Sequence, residues 1–408
     1  MVAEAATVRA SGGAKVIGLI STGHFLSHFY LLLIPPIFPL LRDQLGVGFT
    51  ELGFAITVFS VVTALTQAPM GFLVDRLGAA KILIAGLLLE AAAFVLIGLV
   101  PTYWMLVAML GVAGLANSVY HPADYAILNA SVDPARMGRA FSIHTAAGML
   151  GNALAPMSMA VLIFIADWQT GLIVCGVVGA LIGLVIVFNA SELHDPSVDL
   201  SLERPSAQAG LRLLFSVPIL LGVLFFVGIA VAGQGVSAFG VATLTVIHDI
   251  TVNDAVVVLS AYLFAAPVGV LAGGWIADRI RHHHVFAAAC FVAIGLVFFV
   301  VAAVPLSIWG VGALFLVAGF FSGAVSPSRD MLIRSLSPPT EMGKVFGFVS
   351  TGFNIGGMFA PLMFGYLLDH HDPSVVFWTV GVVSLLSVLT VISTGRQRRS
   401  VNAGVRSA

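Results

Sequence analysis

Long apolar runs dominate this chain and leave few folds open to it. Twelve can be drawn, at 15–41, 51–74, 80–99, 102–129, 138–166, 168–190, 213–247, 255–277, 285–304, 306–336, 343–368 and 374–394. Each reaches the ~20 residues that a helix needs to cross a hydrocarbon core. The runs are continuous and lack the ~10-residue alternation of barrel strands, which favours helices. Only 9% of residues are Asp, Glu, Lys or Arg, against about 25% in soluble domains. Such runs cannot be the core of an ordinary soluble enzyme. A 59% hydrophobic content excludes disorder, and a net charge of -1 gives no electrostatic case for nucleic-acid binding. Cys175 and Cys290 sit inside apolar runs and form neither a disulfide framework nor a zinc site. The expected fold class is an all-α polytopic membrane protein.

Basic residues set the expected orientation. With the N-terminus in the cytoplasm, Arg9, Lys15, Arg76, Lys81, Arg136, Arg139, Arg204, Arg212, Arg279, Arg281, Arg334, Lys344, Arg396, Arg398, Arg399 and Arg406 all stay inside. Only Arg42 falls outside, and Arg329 lies within a helix. Both termini are therefore expected in the cytoplasm of a cell with an inner membrane. The first run is too long for a signal-peptide core and reads as a retained span. The longest polar stretch, 191–212, falls halfway along and carries two prolines. It divides the chain into a six-helix bundle at 1–190, a cytoplasmic linker at 191–212, a second bundle at 213–394 and a basic tail at 395–408.

The two halves repeat. Residues 134–141 read PARMGRAF and residues 339–346 read PTEMGKVF, an offset that also pairs Pro122 with Pro327 and Gly151 with Gly356. Gly71-x-x-x-Asp75-Arg76 is matched by Gly274-x-x-x-Asp278-Arg279. Parallel six-span repeats are one transporter architecture, with substrate between the halves. The stretch Gly71-Phe72-Leu73-Val74-Asp75-Arg76-Leu77-Gly78-Ala79-Ala80-Lys81 resembles the loop 2–3 signature of the major facilitator superfamily, with Ala79 and Ala80 where the family often has basic residues. GHFLSHFY in span 1 and VYHPADYA in span 4 resemble the fosmidomycin-resistance type of exporter. The resemblance implies two pseudo-symmetric bundles around a central cavity lined by spans 1, 4, 7 and 10.

On that resemblance, Gly71 and Gly78 permit close helix approach and tight turning. Asp75 and Arg76, with Asp278 and Arg279, form a cytoplasmic gate. By pseudo-symmetry Asp75 meets the start of span 11 near Gly343, and Asp278 the start of span 5 near Gly138. A carboxylate at a helix N-terminus is favourable by roughly 0.3–1 kcal/mol.

Intramembrane ionisable residues are functional candidates by default. Asn117, His121 and Asp124 on span 4 are spaced i, i+4, i+7 and should share one helix face, with Pro122 loosening the helix. Span 10 carries Arg329 and Asp330 at the equivalent depth, so Asp124 and Arg329 could pair across the cavity. His24 and His28 are i, i+4 on span 1. His24, His28, His121 and His144, the four histidines inside spans, all lie in the N-terminal half, and imidazoles are suited to carrying protons. Two imidazoles at that spacing can also chelate a metal, but coupling or substrate contact is the favoured reading and no metal or cofactor is expected. Glu90 is a lone acid in span 3. Gln234 and Asn354, with Asn152 and Ser237, add neutral polar groups, some of which should line the cavity. The loop groups His282–His284 and Asp369–Asp372 read as solvated charge.

The sequence has no Gly-x4-Gly-Lys-Ser/Thr loop, His-Glu-x-x-His or Gly-x-Ser-x-Gly motif. The reading is a monomeric, proton-coupled secondary transporter of a small organic solute, most simply an exporter of a drug-like or anionic compound, working among lipid, proton and substrate. Proton-coupled import of an organic anion is the alternative, and a non-transporting receptor or scaffold the alternative class.

Overall fold

The computed structural model describes residues 2–133, 136–193, 214–336 and 342–406. Among the described residues the secondary structure is helical, with no strand. The helices are α1 (Val2–Leu31), α2 (Phe38–Leu45), α3 (Phe49–Leu77), α4 (Ala79–Leu99), α5 (Tyr103–Asn117), α6 (Tyr120–Ser131), α7 (Met137–Ile165) and α8 (Trp168–Phe188), then α9 (Val217–Ser237), α10 (Gly240–Ile247), α11 (Val252–Ala277), α12 (His283–Ala303), α13 (Ile308–Leu336), α14 (Met342–His370) and α15 (Val375–Arg406). Eleven described segments are long and apolar enough to cross a membrane. The expected span 343–368 falls on the 29-residue α14, whose first side chains lie outside the described residues. The linker beyond Leu193 and much of the 134–141 and 339–346 repeat lie outside the described residues.

Three expected spans are broken rather than continuous. Span 1 stops at Leu31, passes through a single 3-10 turn at Pro35–Ile37 and resumes as α2. Pro35 and Pro36 lack the amide hydrogens that would continue the ladder. Span 4 breaks at Ser118 and Val119, just ahead of Pro122, and span 7 breaks at Ala238 and Phe239 without a proline. Pro69, Pro156, Pro267, Pro327 and Pro361 sit inside unbroken helices.

The chain forms two compact units, Met1–Val47 with Phe54–Leu202, and Gly48–Gly53 with Glu203–Ala408. In the first, α1 packs on α7 and α4 on α8; in the second, α9 packs on α14 and α12 on α15. The same order of partners recurs, so the sequence repeat is a repeat of packing. Without a hydrophobic drive between helices in lipid, contact depends on small residues that let backbones meet. On α11 and α13 these are Gly269, Gly273, Gly319 and Gly323. A β-carbon on Gly323 would collide with the Ala266 carbonyl oxygen, and one on Gly269 with that of Phe320. In the first unit Gly114 of α5 approaches the Phe59 carbonyl of α3 in the same way.

Gly78, with φ 97°, turns the chain between α3 and α4 in a conformation that a side chain would strain. At the start of α3, Asp369 near the end of α14 accepts from the Phe49 amide at 2.9 Å and from the Thr50 amide and hydroxyl at 2.6 Å each. Asp369 is thus a helix cap, not the solvated loop charge expected. Asp372 does lie in a loop, where the Ser374 hydroxyl and amide hold its carboxyl below the usual range. Asp369→Ala should lower stability by about 1 kcal/mol, the ordinary worth of an N-cap. Thermal unfolding of the purified protein in detergent checks this; an unchanged midpoint counts against the cap.

Candidate functional site

Three helices of the first unit bring its histidines together. α1 supplies His24 and His28, α6 supplies His121, Asp124 and Tyr125, and α7 supplies His144 and Asn152. Asp124 is 0% exposed. Its Oδ2 lies 3.6 Å from His24 Nδ1 and 3.6 Å from His144 Nε2. These separations suit ion pairing but exceed a hydrogen bond. The His24 and His144 rings stack at 3.8 Å, and His24 also meets His28 at 4.6 Å and His121 at 5.4 Å. His28 is fixed by Asn152, whose Nδ2 is 3.0 Å from Nδ1. Gly148 makes room, because a β-carbon there would stand 2.8 Å from the His24 ring. His121 and Tyr125 are exposed, so the cluster is closed at Asp124 and open beside it.

Local sequence explains this placement. The i, i+4 spacing of His24 and His28 puts both on one face of α1. Asp124 and His121 belong to the helix restarted after the break at 118–119. That break separates Asn117 from the face expected to hold all three polar residues. Asn117 ends α5 and instead donates to Glu90 Oε1 at 3.2 Å and to the Ser27 carbonyl at 3.4 Å. Glu90 is fully buried on α4. It therefore belongs to a second polar group, joined through Asn117.

The second unit holds Arg329 on α13. Its Nε donates to Asp330 Oδ1 at 2.8 Å, and its guanidinium lies 5.2 Å from the Phe226 ring and 5.8 Å from the Phe353 ring. Each charged group thus engages neighbours within its own unit, Asp124 the two imidazoles and Arg329 the adjacent acid. Gln234 on α9 and Asn354 on α14 are half-buried.

The gate contacts expected at Gly343 and Gly138 fall on residues outside those described. Among the described residues nothing lies within 4 Å of the place a Gly71 side chain would occupy. The side chain of Asp75 also lies outside the described residues. Arg76 and Asp278 are exposed, and Arg279 donates to the Trp275 carbonyl at 2.8 Å while stacking 3.9 Å over that indole. From sequence, His144 stands out only as one of four intramembrane histidines, and Tyr125 does not stand out at all. The usable signal was that every intramembrane histidine falls in one half.

The profile of the Major Facilitator Superfamily matches residues 20–316 and, in a second match, 225–407. This chain belongs to the Major Facilitator Superfamily. It is 25% identical over 400 residues to the fosmidomycin resistance protein of Escherichia coli K12, covering 95% of each chain. It is 26% identical over 371 residues to a probable nitrate/nitrite transporter, NarK2, of Mycobacterium tuberculosis, covering 89% of this chain and 90% of that one. It is also 24% identical over 377 residues to the multidrug resistance protein MdtH of Salmonella arizonae, covering 87% of this chain and 88% of the other. The fold matches an inward-facing, unoccupied bacterial homologue of the human lysosomal transporter Spinster with a TM-score of 0.75 at 13% identity, over 95% of this chain and 96% of that one. It matches the nucleoside transporter NupG with a TM-score of 0.76 at 14% identity, over 93% and 99%. Membership in the superfamily makes the chain a multi-pass membrane transporter for small molecules rather than an enzyme, in agreement with the resemblance carried by Gly71–Lys81.

Proposed function

We propose that this superfamily member is a proton-coupled exporter of a small drug-like or anionic compound, working as a monomer by alternating access with both termini in the cytoplasm. The observation that carries coupling is Asp124, a wholly buried carboxylate between His24 and His144 with both oxygens lacking a hydrogen-bond partner among the described residues. A group so placed cannot hold an uncompensated charge cheaply, and exchanging a proton with its imidazole neighbours relieves it. His28 and exposed His121 extend the set toward the open side. Export is supported by the likeness to the fosmidomycin and multidrug resistance proteins. The test is solute movement in proteoliposomes under an imposed pH gradient without nucleotide. Transport that ignores the gradient would sink the coupling.

Arg329 favours a second reading, import of an anion. A guanidinium held against Phe226 and Phe353 offers a cation in an apolar frame, and a relative of this chain is a probable nitrate/nitrite transporter. Everted vesicles separate the two directions, since substrate-dependent alkalinisation of the lumen marks export by exchange and acidification marks import.

At the gate, Asp75→Asn should lower turnover more than substrate affinity, because it alters a moving contact and leaves the binding residues alone. Asp278→Asn should do so less, since its Gly274–Arg279 motif is the shorter copy. Initial rates against substrate concentration for folded variants decide it. A KM rise with unchanged maximal rate would place Asp75 in substrate binding instead.

A further inference from the structure

The donors around Asp124 have a second chemistry. His24 Nδ1, Asp124 Oδ1 and Oδ2, and both His144 nitrogens are buried without a hydrogen-bond partner among the described residues. Buried polar atoms are ordinarily paired, so this many together calls for an occupant. One ligand atom from each of His24, Asp124 and His144 lies within 4.8 Å of the others, with Asp124 Oδ2 at 3.6 Å from each nitrogen. A tetrahedral ion with bonds of about 2.0–2.1 Å sets its ligands ~3.3 Å apart. Small rotations that splay the stacked rings therefore close the trio around a cation.

We propose that His24, Asp124 and His144 form a binding site for a divalent transition-metal ion of the zinc, cobalt and nickel kind. The donor set selects this class, since imidazole suits zinc, nickel and copper whereas magnesium and calcium prefer all-oxygen shells. Three protein ligands leave a fourth position open. Exposed His121, whose ring is 5.4 Å from that of His24, borders it, so the ion is exchangeable rather than sealed in. Pairing of His24 with His28 alone would have needed only one helix. The pair that faces the carboxylate spans α1 and α7, which is why spacing along one helix did not disclose it.

This proposal does not rest on proton coupling. Full-length protein without an affinity tag, stripped with chelator and kept in detergent, is titrated with Co2+ at fixed neutral pH. One ion per chain should bind with the visible absorption of tetrahedral cobalt. Asp124→Asn and His144→Gln should each weaken binding by about a hundredfold or more, while replacing His282, His283 and His284 with Asn leaves it unchanged. Absence of saturable one-to-one binding, or binding that survives both site substitutions, overturns the proposal. If the variants fail to fold, X-ray absorption of the wild-type zinc form decides: two imidazoles and a carboxylate support the site, and any other ligand set overturns it. Gradient-driven transport measured separately, with chelator present, reports coupling alone.

Discussion

Asp124→Asn should abolish accumulation against a gradient while leaving substrate counterflow largely intact. The amide keeps the size and most of the shape of the carboxyl group but cannot exchange a proton. Asp124 has His24 and His144 on either side at 3.6 Å, so the loss falls on the step that links proton movement to substrate movement. Coupling factors between sites are typically about 5–150-fold, and the expected drop in steady-state accumulation is on the order of tenfold or more. His24→Gln and His144→Gln should lower accumulation by less, because each leaves the acid with one imidazole. Near wild-type accumulation by Asp124→Asn would move the proton elsewhere, and buried Glu90, joined to Asn117, would be the next group to test.

The second large effect concerns folding. Gly323→Val should prevent the second unit from assembling, and Gly269→Val should do the same. At both positions the backbone of the facing helix occupies the space of a β-carbon, at the Ala266 and Phe320 carbonyls. Overpacking in a core typically costs about 1–3 kcal/mol when side chains can move. A carbonyl that belongs to a helix ladder cannot move without breaking that ladder, so the cost is higher here. Size-exclusion chromatography after membrane extraction gives the readout, with Gly347→Ala as a control because its side-chain position is open. Monodisperse Gly323→Val protein at wild-type yield would show that α11 and α13 can separate without harm.

The fold was largely legible because lipid simplifies the problem. A span must be long, apolar and internally hydrogen-bonded, and the runs announce themselves. The breaks were less legible. Pro35 and Pro36 predict one, but Pro69, Pro156, Pro267, Pro327 and Pro361 sit in unbroken helices, and the break at Ala238 and Phe239 has no proline. Whether a missing amide stops a helix depends on what neighbouring helices supply, which one chain segment does not reveal. The candidate site divides in the same way. His24, His28, His121 and Asp124 stood out as polar groups in apolar runs. Which of them face each other depends on α7 bringing His144 to Asp124, and on Asn117 turning to Glu90 once its helix ends. The expected partner of Asp124 was Arg329, chosen because the two positions are repeat-equivalent. Equivalence in a repeat fixes depth and helix but not the local partners, which for Arg329 within its own unit include the adjacent Asp330.

The cap at Asp369 has a bearing on how this chain could be divided. Gly48–Gly53 lies early in the sequence yet belongs to the second unit, and Phe49 and Thr50 are the donors that Asp369 engages. A polypeptide severed in the 191–212 stretch would yield a C-terminal fragment missing a piece of its own unit. That fragment would carry a carboxylate whose donors remain on the other product. Co-expressed fragments should therefore recover activity only if the N-terminal one retains residues 48–53, and moving the cut cannot create two self-sufficient modules. The sequence repeat suggests a gene doubled end to end; the finished protein is stitched across the seam.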